Sequence, residues 1–561
     1  MEENTTDIYE IFDKAVTVGK NDIEKSISYY KYILDKYPGF YASTINLANI
    51  YESQGKKEEA IELFEKSLKI PQELEYFLLV MKNLARIYIS TYQYEHAYKL
   101  LNLYLIHDTE STDVLHELIM IRQKLCKWPV LFTEPKVSRN VLLKSIGPLS
   151  SLSLFDDPLV LLNNSQNFIK KNIPESYVPY NFPKYNHDKI RIGYISCDFK
   201  RHVCGFLMRE MFALHNRNKF IVYGFDNSLE DNSDVRSEIL NGFDVTFNIR
   251  SMTDENVVEQ IRSCEIDVLV DLMGLTHESR YKVVAKKVAP IQISYLGYLG
   301  TTSIEANDYI LCDEFVIPKE YSIYYSENPL YLPCCFQVNN RRRTPSTNIK
   351  SREEYGLPTK GFVYCVINNS YKINLQMFSI WCRILSKVPD SVLWILESNS
   401  SVRQNLTKEA SNYNIEPNRL VFAELEQPEI YLSRFQYADL FLDTYPYNSG
   451  ATASDVLWMG IPILTFPGKS YVSRMAGSLL LHFGLEELIV DSLEKYQSEA
   501  IRYANEPEKL KMLKTKIINM RNTTKVFDTS NFVREFEKQL LKIHACRNFG
   551  KNSMKLLLHD M

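Results

Sequence analysis

The sequence predicts an all-α repeat region followed by two successive doubly wound α/β domains. Three observations carry that prediction. Apolar residues recur at helical spacing, in matching copies, through the first ~130 residues. From Ile190 the period changes to short buried strands alternating with helices. From Gly361 the alternation starts again, and it ends in a strand, a small-residue loop and a helix start at Ala451.

In the repeat region, Leu47, Ala48, Tyr51, Ala60 and Phe64 share their internal spacing with Leu84, Ala85, Tyr88, Ala97 and Leu101. A more degenerate copy offers Tyr30, Ile33 and Pro38. Small residues at two positions let paired helices approach, and the large ones fill the gaps between them. The pattern resembles tetratricopeptide repeats, whose period is about 34 residues. Such repeats form a platform for another chain, not a catalyst.

Between 130 and 185 the pattern weakens, and Pro129, Pro135, Pro148, Pro158 and Pro174 are expected to break helices. The α/β alternation that follows reads as strands Ile190–Ser196, Phe220–Phe225, Ile266–Asp271 and Pro290–Tyr295, with helices Leu207–Leu214 and Asp254–Ser263. The second set reads as strands Phe362–Val366, Val392–Leu396, Arg419–Ala423 and Leu440–Asp443. Its helices are Leu375–Ser386, Arg403–Tyr413 and Glu429–Tyr437. Alternation of this kind implies parallel sheets covered on both faces, with a ligand cleft at the carboxyl ends of the strands. The expected divisions are 1–125 (repeats), 126–188 (connecting segment), 189–345 and 346–545 (the two α/β domains), and 546–561 (tail).

Composition bounds the function. The chain has 561 residues, 45% of them hydrophobic and 24% charged, which is ordinary for a soluble protein of several domains. A net charge of -4 argues against a general nucleic-acid binder. Met1-Glu2-Glu3-Asn4-Thr5 carries neither the basic segment nor the apolar core of a signal peptide, and runs such as 266–273 are too short to span a bilayer. A cytoplasmic location without a membrane span is therefore expected. The ten cysteines include no C-x-x-C pair, so they read as reduced thiols rather than zinc ligands or disulfides.

The segment 440–458 is the most informative. Leu440-Phe441-Leu442 is a buried strand, Gly450 permits a close turn, and Ala451 opens a helix. A helix N-terminus offers unpaired N–H groups and a positive dipole end to an anion. With Asp455 in the first turns to take ribose hydroxyls, this suggests a nucleoside diphosphate site.

Several ordered motifs extend that reading. They are 193–202 (Gly-Tyr-Ile-Ser-Cys-Asp-Phe-Lys-Arg-His), 266–274, Ala289-Pro290-Ile291-Gln292 with 296–301, and Asn368-Asn369-Ser370-Tyr371-Lys372-Ile373. They continue through Val392-Leu393-Trp394 and Ala451-Thr452-Ala453-Ser454-Asp455 to Pro467-Gly468-Lys469-Ser470. Together, over about residues 125–545, they resemble glycosyltransferase family 41, the protein O-linked N-acetylglucosamine transferases and their bacterial relatives. The resemblance implies a GT-B fold of two Rossmann-like domains behind tetratricopeptide repeats. It also implies inverting transfer of N-acetylglucosamine from UDP-GlcNAc to Ser/Thr hydroxyls of a protein acceptor, with no metal or other cofactor. The chain contains no Asp-x-Asp, the pair other glycosyltransferases use to hold a cation on the diphosphate.

By the same resemblance Lys372 pairs with the phosphates of the leaving group, and Asn369 and Tyr371 line its pocket. Ala451 and Thr452 supply donors to the diphosphate, Asp455 contacts the ribose, and Gly297 borders the sugar nucleotide. His202 lies beside the sugar and is a candidate general base; a relay through water or phosphate oxygens is the alternative, and His277 is a second candidate. Animal members carry histidine and threonine where Gly450 and Ala451 stand, histidine where Tyr431 stands, and a smaller residue in place of Tyr447. Tyr431 can still stack on uracil, whereas Tyr447 would narrow the N-acyl pocket and favour a plain hexose. UDP-glucose or GDP-fucose as donor, and a catalytically inert repeat scaffold, therefore remain alternatives. The repeats would select the acceptor polypeptide, flagellin or another surface protein being candidates.

Overall fold

A computed structural model describes residues 5–70, 73–132, 137–174 and 180–548. Pro135 and the tail from 549 onward lie outside them. The chain divides into two compact units, 1–146 and 147–561. The first unit therefore extends past residue 125.

The first unit is helical: α1 (Thr5–Val18), α2 (Ile23–Lys36), α3 (Tyr41–Ser53), α4 (Lys57–Ser67), α5 (Leu74–Ser90), α6 (Tyr94–Leu105), α7 (Thr112–Lys124) and α8 (Arg139–Lys144). Successive helices pack as pairs, α1 on α2, α3 on α4 and α5 on α6. The repeat positions explain the pairing. Ala48, Ala60, Ala85 and Ala97 have no exposed surface, so the helices meet there at close range, and Leu47, Phe64, Leu84 and Leu101 fill the flanks. Helix α8 belongs to this unit because it docks on α7, where His116 Nδ1 meets the Ser145 carbonyl at 3.3 Å.

The second unit opens with α9 (Pro148–Leu154) and α10 (Pro158–Asn172). Here the proline expectation is corrected. Pro148 and Pro158 begin these helices, because the first helical N–H has no intrahelical partner for proline to remove. Asp157 caps α10 through the N–H groups of Leu159 and Val160.

Among the described residues twelve strands follow in two sheets. The first comprises β1 (Ile190–Ser196), β2 (Phe220–Asp226), β3 (Val245–Asn248), β4 (Val268–Asp271), β5 (Ile291–Ser294), β6 (Tyr309–Cys312) and β7 (Asn328–Tyr331). The second comprises β8 (Val363–Val366), β9 (Val392–Leu396), β10 (Leu420–Ala423), β11 (Leu440–Leu442) and β12 (Ile463–Leu464). The orders are β3-β2-β1-β4-β5-β6-β7 and β10-β9-β8-β11-β12, with every pairing parallel. Each order reverses direction beside its first strand. Crevices therefore open between the carboxyl ends of β1 and β4 and of β8 and β11.

Two further placements differ from the expectation. The helix after β1 is α11 (Val203–Met208), earlier than Leu207–Leu214, because His202 caps it; beyond Met208 the chain closes into single turns. The helix Thr529–Asn548 packs on the first sheet rather than the second. Phe532, Val533, Phe536, Leu540 and Ile543 lie in that core, and Glu537 meets buried His215 at 2.9 Å. All ten cysteines are free thiols.

Candidate active site

The loop leaving β1 is held by its own backbone. The Asp198 N–H donates to Ser196 Oγ (2.9 Å) and the Phe199 N–H to Ser228 Oγ (2.9 Å). Asp198 is thereby buried with one carboxylate oxygen 3.2 Å from His202 Nδ1, while the His202 side chain remains 43% exposed. The Cys204 N–H also approaches Nδ1, at 3.4 Å. Nδ1 therefore faces both an acceptor, the Asp198 carboxylate, and a donor, the Cys204 N–H; with a proton on Nδ1 the closer carboxylate is its partner and the Nε2 lone pair is left available. His277, after β4, is exposed; it is its carbonyl that is engaged, by the Cys197 thiol at 3.8 Å. Gly297 has a steric cause of its own. A Cβ there would stand 2.0 Å from the Leu272 carbonyl oxygen, so only glycine lets the chain after β5 cross the end of β4. Gly297→Ala is expected to destabilise the fold by about 3 kcal/mol or more, read as a lowered Tm.

On the second sheet, β8 leads into the turn 370–372. Asn369 precedes this turn from an exposed position, its carbonyl accepting the Lys372 N–H at 3.0 Å, and Lys372 emerges half-buried. The Lys372 ammonium donates to the Asn448 carbonyl (2.9 Å) and stands 4.3 Å from the centre of the Tyr447 ring. Burial pushes its pKa down to about 8, against the opposing pull of Asp443. Asp443, at the end of β11, is fully buried and is raised by that burial to about 6. It accepts from the Ser449 N–H (2.8 Å) and the Thr465 hydroxyl (2.7 Å), which folds the loop back on itself. Tyr447 is buried, its hydroxyl bonded to that of Tyr371 and its ring edge-on to the Tyr371 ring at 5.8 Å.

Gly450 then starts the helix Ala451–Trp458, which follows β11 and has no side-chain cap at its N-terminus. A Cβ on Gly450 would lie 2.9 Å from Gln337 Oε1, so the place of a side chain is taken by Gln337. Ala451 packs against the core of the first sheet, and Cys204 and Tyr298 of that lobe act electrostatically on the Tyr447 phenol. The two crevices thus confront one another, with Lys372 and the helix N-terminus on one wall.

Two predicted ligand groups are already engaged. The Thr452 hydroxyl bonds to the Tyr431 phenol, leaving the backbone as the donor at that position. Tyr431 itself is half-buried, edge-on to Phe435 at 5.2 Å. Asp455 accepts from Arg343 Nε at 2.8 Å, and Arg343 is pinned in turn by Asn339 (3.0 Å) and by its carbonyl's bond from Trp458 (2.8 Å). Arg343, Gln337 and Asp198 are the site residues that sequence reasoning missed. The first two lie in a linker with no motif around them; Asp198 stood inside a motif but was given no role. The Gly468-Lys469-Ser470 turn is also filled from within. Asp156 accepts from the N–H groups of Lys469 (2.8 Å) and Ser470 (3.0 Å) and from the Tyr445 hydroxyl (3.1 Å). Two surface cavities, of about 390 Å³ at Arg250 and Arg280 and about 360 Å³ at Cys334 and His482, are lined by none of the residues that follow β1, β8 or β11.

With this geometry in place, the comparisons are decisive. The sequence profile of Glycosyl transferase family 41 matches residues 170–345 and 339–536, which contain both sheets and both crevices. The chain belongs to glycosyl transferase family 41. A tetratricopeptide repeat matches residues 43–75 in the first unit. Among curated relatives, a probable UDP-N-acetylglucosamine–peptide N-acetylglucosaminyltransferase of Arabidopsis thaliana is 31% identical over 439 residues, covering 75% of this chain and 45% of its own length. The Caenorhabditis elegans UDP-N-acetylglucosamine–peptide N-acetylglucosaminyltransferase is 23% identical, covering 64% of this chain and 41% of its own. The chain thus spans less than half the length of these relatives. A mutant O-GlcNAc transferase of Thermobaculum terrenum superposes with a TM-score of 0.70 over 98% of this chain and all of its own, at 20% identity. The fold of this family 41 glycosyltransferase is therefore helical repeats followed by a GT-B pair of Rossmann-like domains. No helix among its described residues is long and apolar enough to cross a membrane.

Proposed function

We propose that this family 41 enzyme transfers N-acetylglucosamine from UDP-GlcNAc to serine or threonine hydroxyls of a polypeptide, with inversion and without a metal ion. The observation that carries the reading is Lys372, an ammonium held over the Tyr447 ring beside the free N–H groups of the helix Ala451–Trp458. Displacement at the anomeric carbon breaks the bond to the β-phosphate oxygen and leaves negative charge there. A desolvated ammonium and an aligned helix N-terminus supply the compensating charge that a cation supplies elsewhere. The acceptor hydroxyl attacks from the opposite face, and its proton passes to His202 Nε2, the lone pair that Asp198 leaves available. The names of the curated relatives support UDP-GlcNAc as donor. Tyr447 favours a second donor, UDP-glucose, because its buried, tethered ring occupies the position that resembles the family's N-acyl contact. The helical repeats would bind the acceptor polypeptide, and the reaction would take place in the cytoplasm, where UDP-sugars are made.

A turnover screen with UDP-GlcNAc, UDP-glucose and GDP-fucose tests the donor; turnover confined to GDP-fucose would reverse the assignment. The pKa of Lys372 adds a pH signature. A group at about 8 in the free enzyme is raised further when phosphate binds, so UDP affinity should be flat below pH 8. Above pH 8 it should fall by about tenfold per pH unit, as one proton must be taken up on binding. Calorimetric titration of UDP between pH 6.5 and about 9.5 reads this slope directly.

A further inference from the structure

We propose that Asp198, His202 and Cys204 form a binding site for a thiophilic divalent cation, Zn²⁺ being the best fit, and that filling it switches the transferase off. The second half rests on the reading of His202 as proton acceptor; the first does not. One ligand atom from each residue, a carboxylate oxygen, an imidazole nitrogen and a thiol sulfur, lies within 4.8 Å of the others. The oxygen and Nδ1 are already 3.2 Å apart. Tetrahedral zinc with bonds of 2.0–2.3 Å spaces its ligands by about 3.3–3.8 Å, so side-chain rotation alone would close the set. Three protein ligands leave a fourth position open, and the exposed edge of His202 provides entry.

The residues are held for this by the fold. Asp198 and Phe199 are fixed through Ser196 and Ser228, and the helix start presses on the preceding loop at Gly205, where a Cβ would stand 2.2 Å from the Lys200 carbonyl. Sulfur and nitrogen donors select zinc-like ions over Mg²⁺ and Ca²⁺, which prefer all-oxygen shells. The proton balance is explicit. The metal takes the Nδ1 lone pair, the imidazole proton moves from Nδ1 to Nε2, the Cys204 thiol gives up its proton to water, and Asp198 binds as carboxylate. With a proton on Nε2 the imidazole has no lone pair for the acceptor hydroxyl.

Chelator-treated full-length protein is titrated with CoCl₂, whose thiolate charge-transfer band in the near ultraviolet reports a Co–S bond. The band is expected in the wild type and in Cys197→Ser, and absent in Cys204→Ser. Zn²⁺ should inhibit turnover reversibly under EDTA, and Cys204→Ser should keep basal turnover while weakening inhibition by at least about tenfold. No band in the wild type, or a band that survives Cys204→Ser or disappears in Cys197→Ser, overturns the site. A correct band with turnover untouched by saturating Zn²⁺ leaves the site standing and overturns both the switch and the base role of His202. The cobalt readout needs no substrate, so it stands apart from failure of the donor assignment.

Discussion

Lys372→Ala is expected to lower turnover by about 10²–10³-fold, the cost of removing one preorganised charge from a developing oxyanion. It should weaken UDP binding as well, because in the proposed mechanism the ammonium meets the diphosphate before and after transfer. Stability should move the other way. Burial disfavours the ammonium in the folded chain and not in the unfolded one, so at pH 7 carrying the charge costs up to about 3 kcal/mol relative to the neutral amine. The sign follows from proton uptake. Between about pH 8 and the unfolded value near 10.5 the unfolded chain binds the extra proton, so wild-type stability rises with pH across that window. Lys372→Met, which keeps the stem on the Tyr447 ring, should therefore lose activity while holding or raising Tm at pH 7. Kinetics, UDP calorimetry and thermal melts on one preparation read all three. Wild-type turnover in either variant would remove the phosphate assignment.

His202→Ala is expected to cut kcat by about 10²–10⁴-fold, the usual reach of general base catalysis, while UDP affinity changes by less than about twofold. The residue also caps α11, so a loss of about 1 kcal/mol in stability accompanies it. His202→Asn separates the two effects, since asparagine is a good cap and a poor base. If Asn restores turnover, the histidine is a helix cap and the proton leaves by water or phosphate. Asp198→Asn gives the companion result. It keeps an acceptor near Nδ1 but removes the charge that supports the imidazolium, so kcat should fall with KM for the donor unchanged.

Much of this fold was legible along the chain. Buried strands in a parallel sheet are continuous apolar runs, and β1, β8, β9 and the helix Ala451–Trp458 stand where their residues predicted them. Lys372 and Gly450 likewise follow β8 and β11 beside the switch point of the second sheet, the position from which a ligand role is proposed for them. The strands β3, β6, β7 and β12 were not read from the sequence, being only two to four residues long and carried by pairing with neighbours. Pro148 and Pro158 misled because proline reads the same at a helix start as at a break until the cap is seen.

Sequence by itself determined the repeat spacing and the two α/β alternations, and it supplied the side chains proposed to carry the chemistry, because each depends on residues near one another in the chain. Tertiary structure alone decided which of those groups are free. Asp455 is engaged by Arg343 from 112 residues away and the Gly468 turn by Asp156 from 314. His202 Nδ1 meets buried Asp198, and the last helix crosses to complete the first core. Partners of that kind are chosen by packing and by the need to pair buried charge, and neither leaves a periodic trace in the sequence.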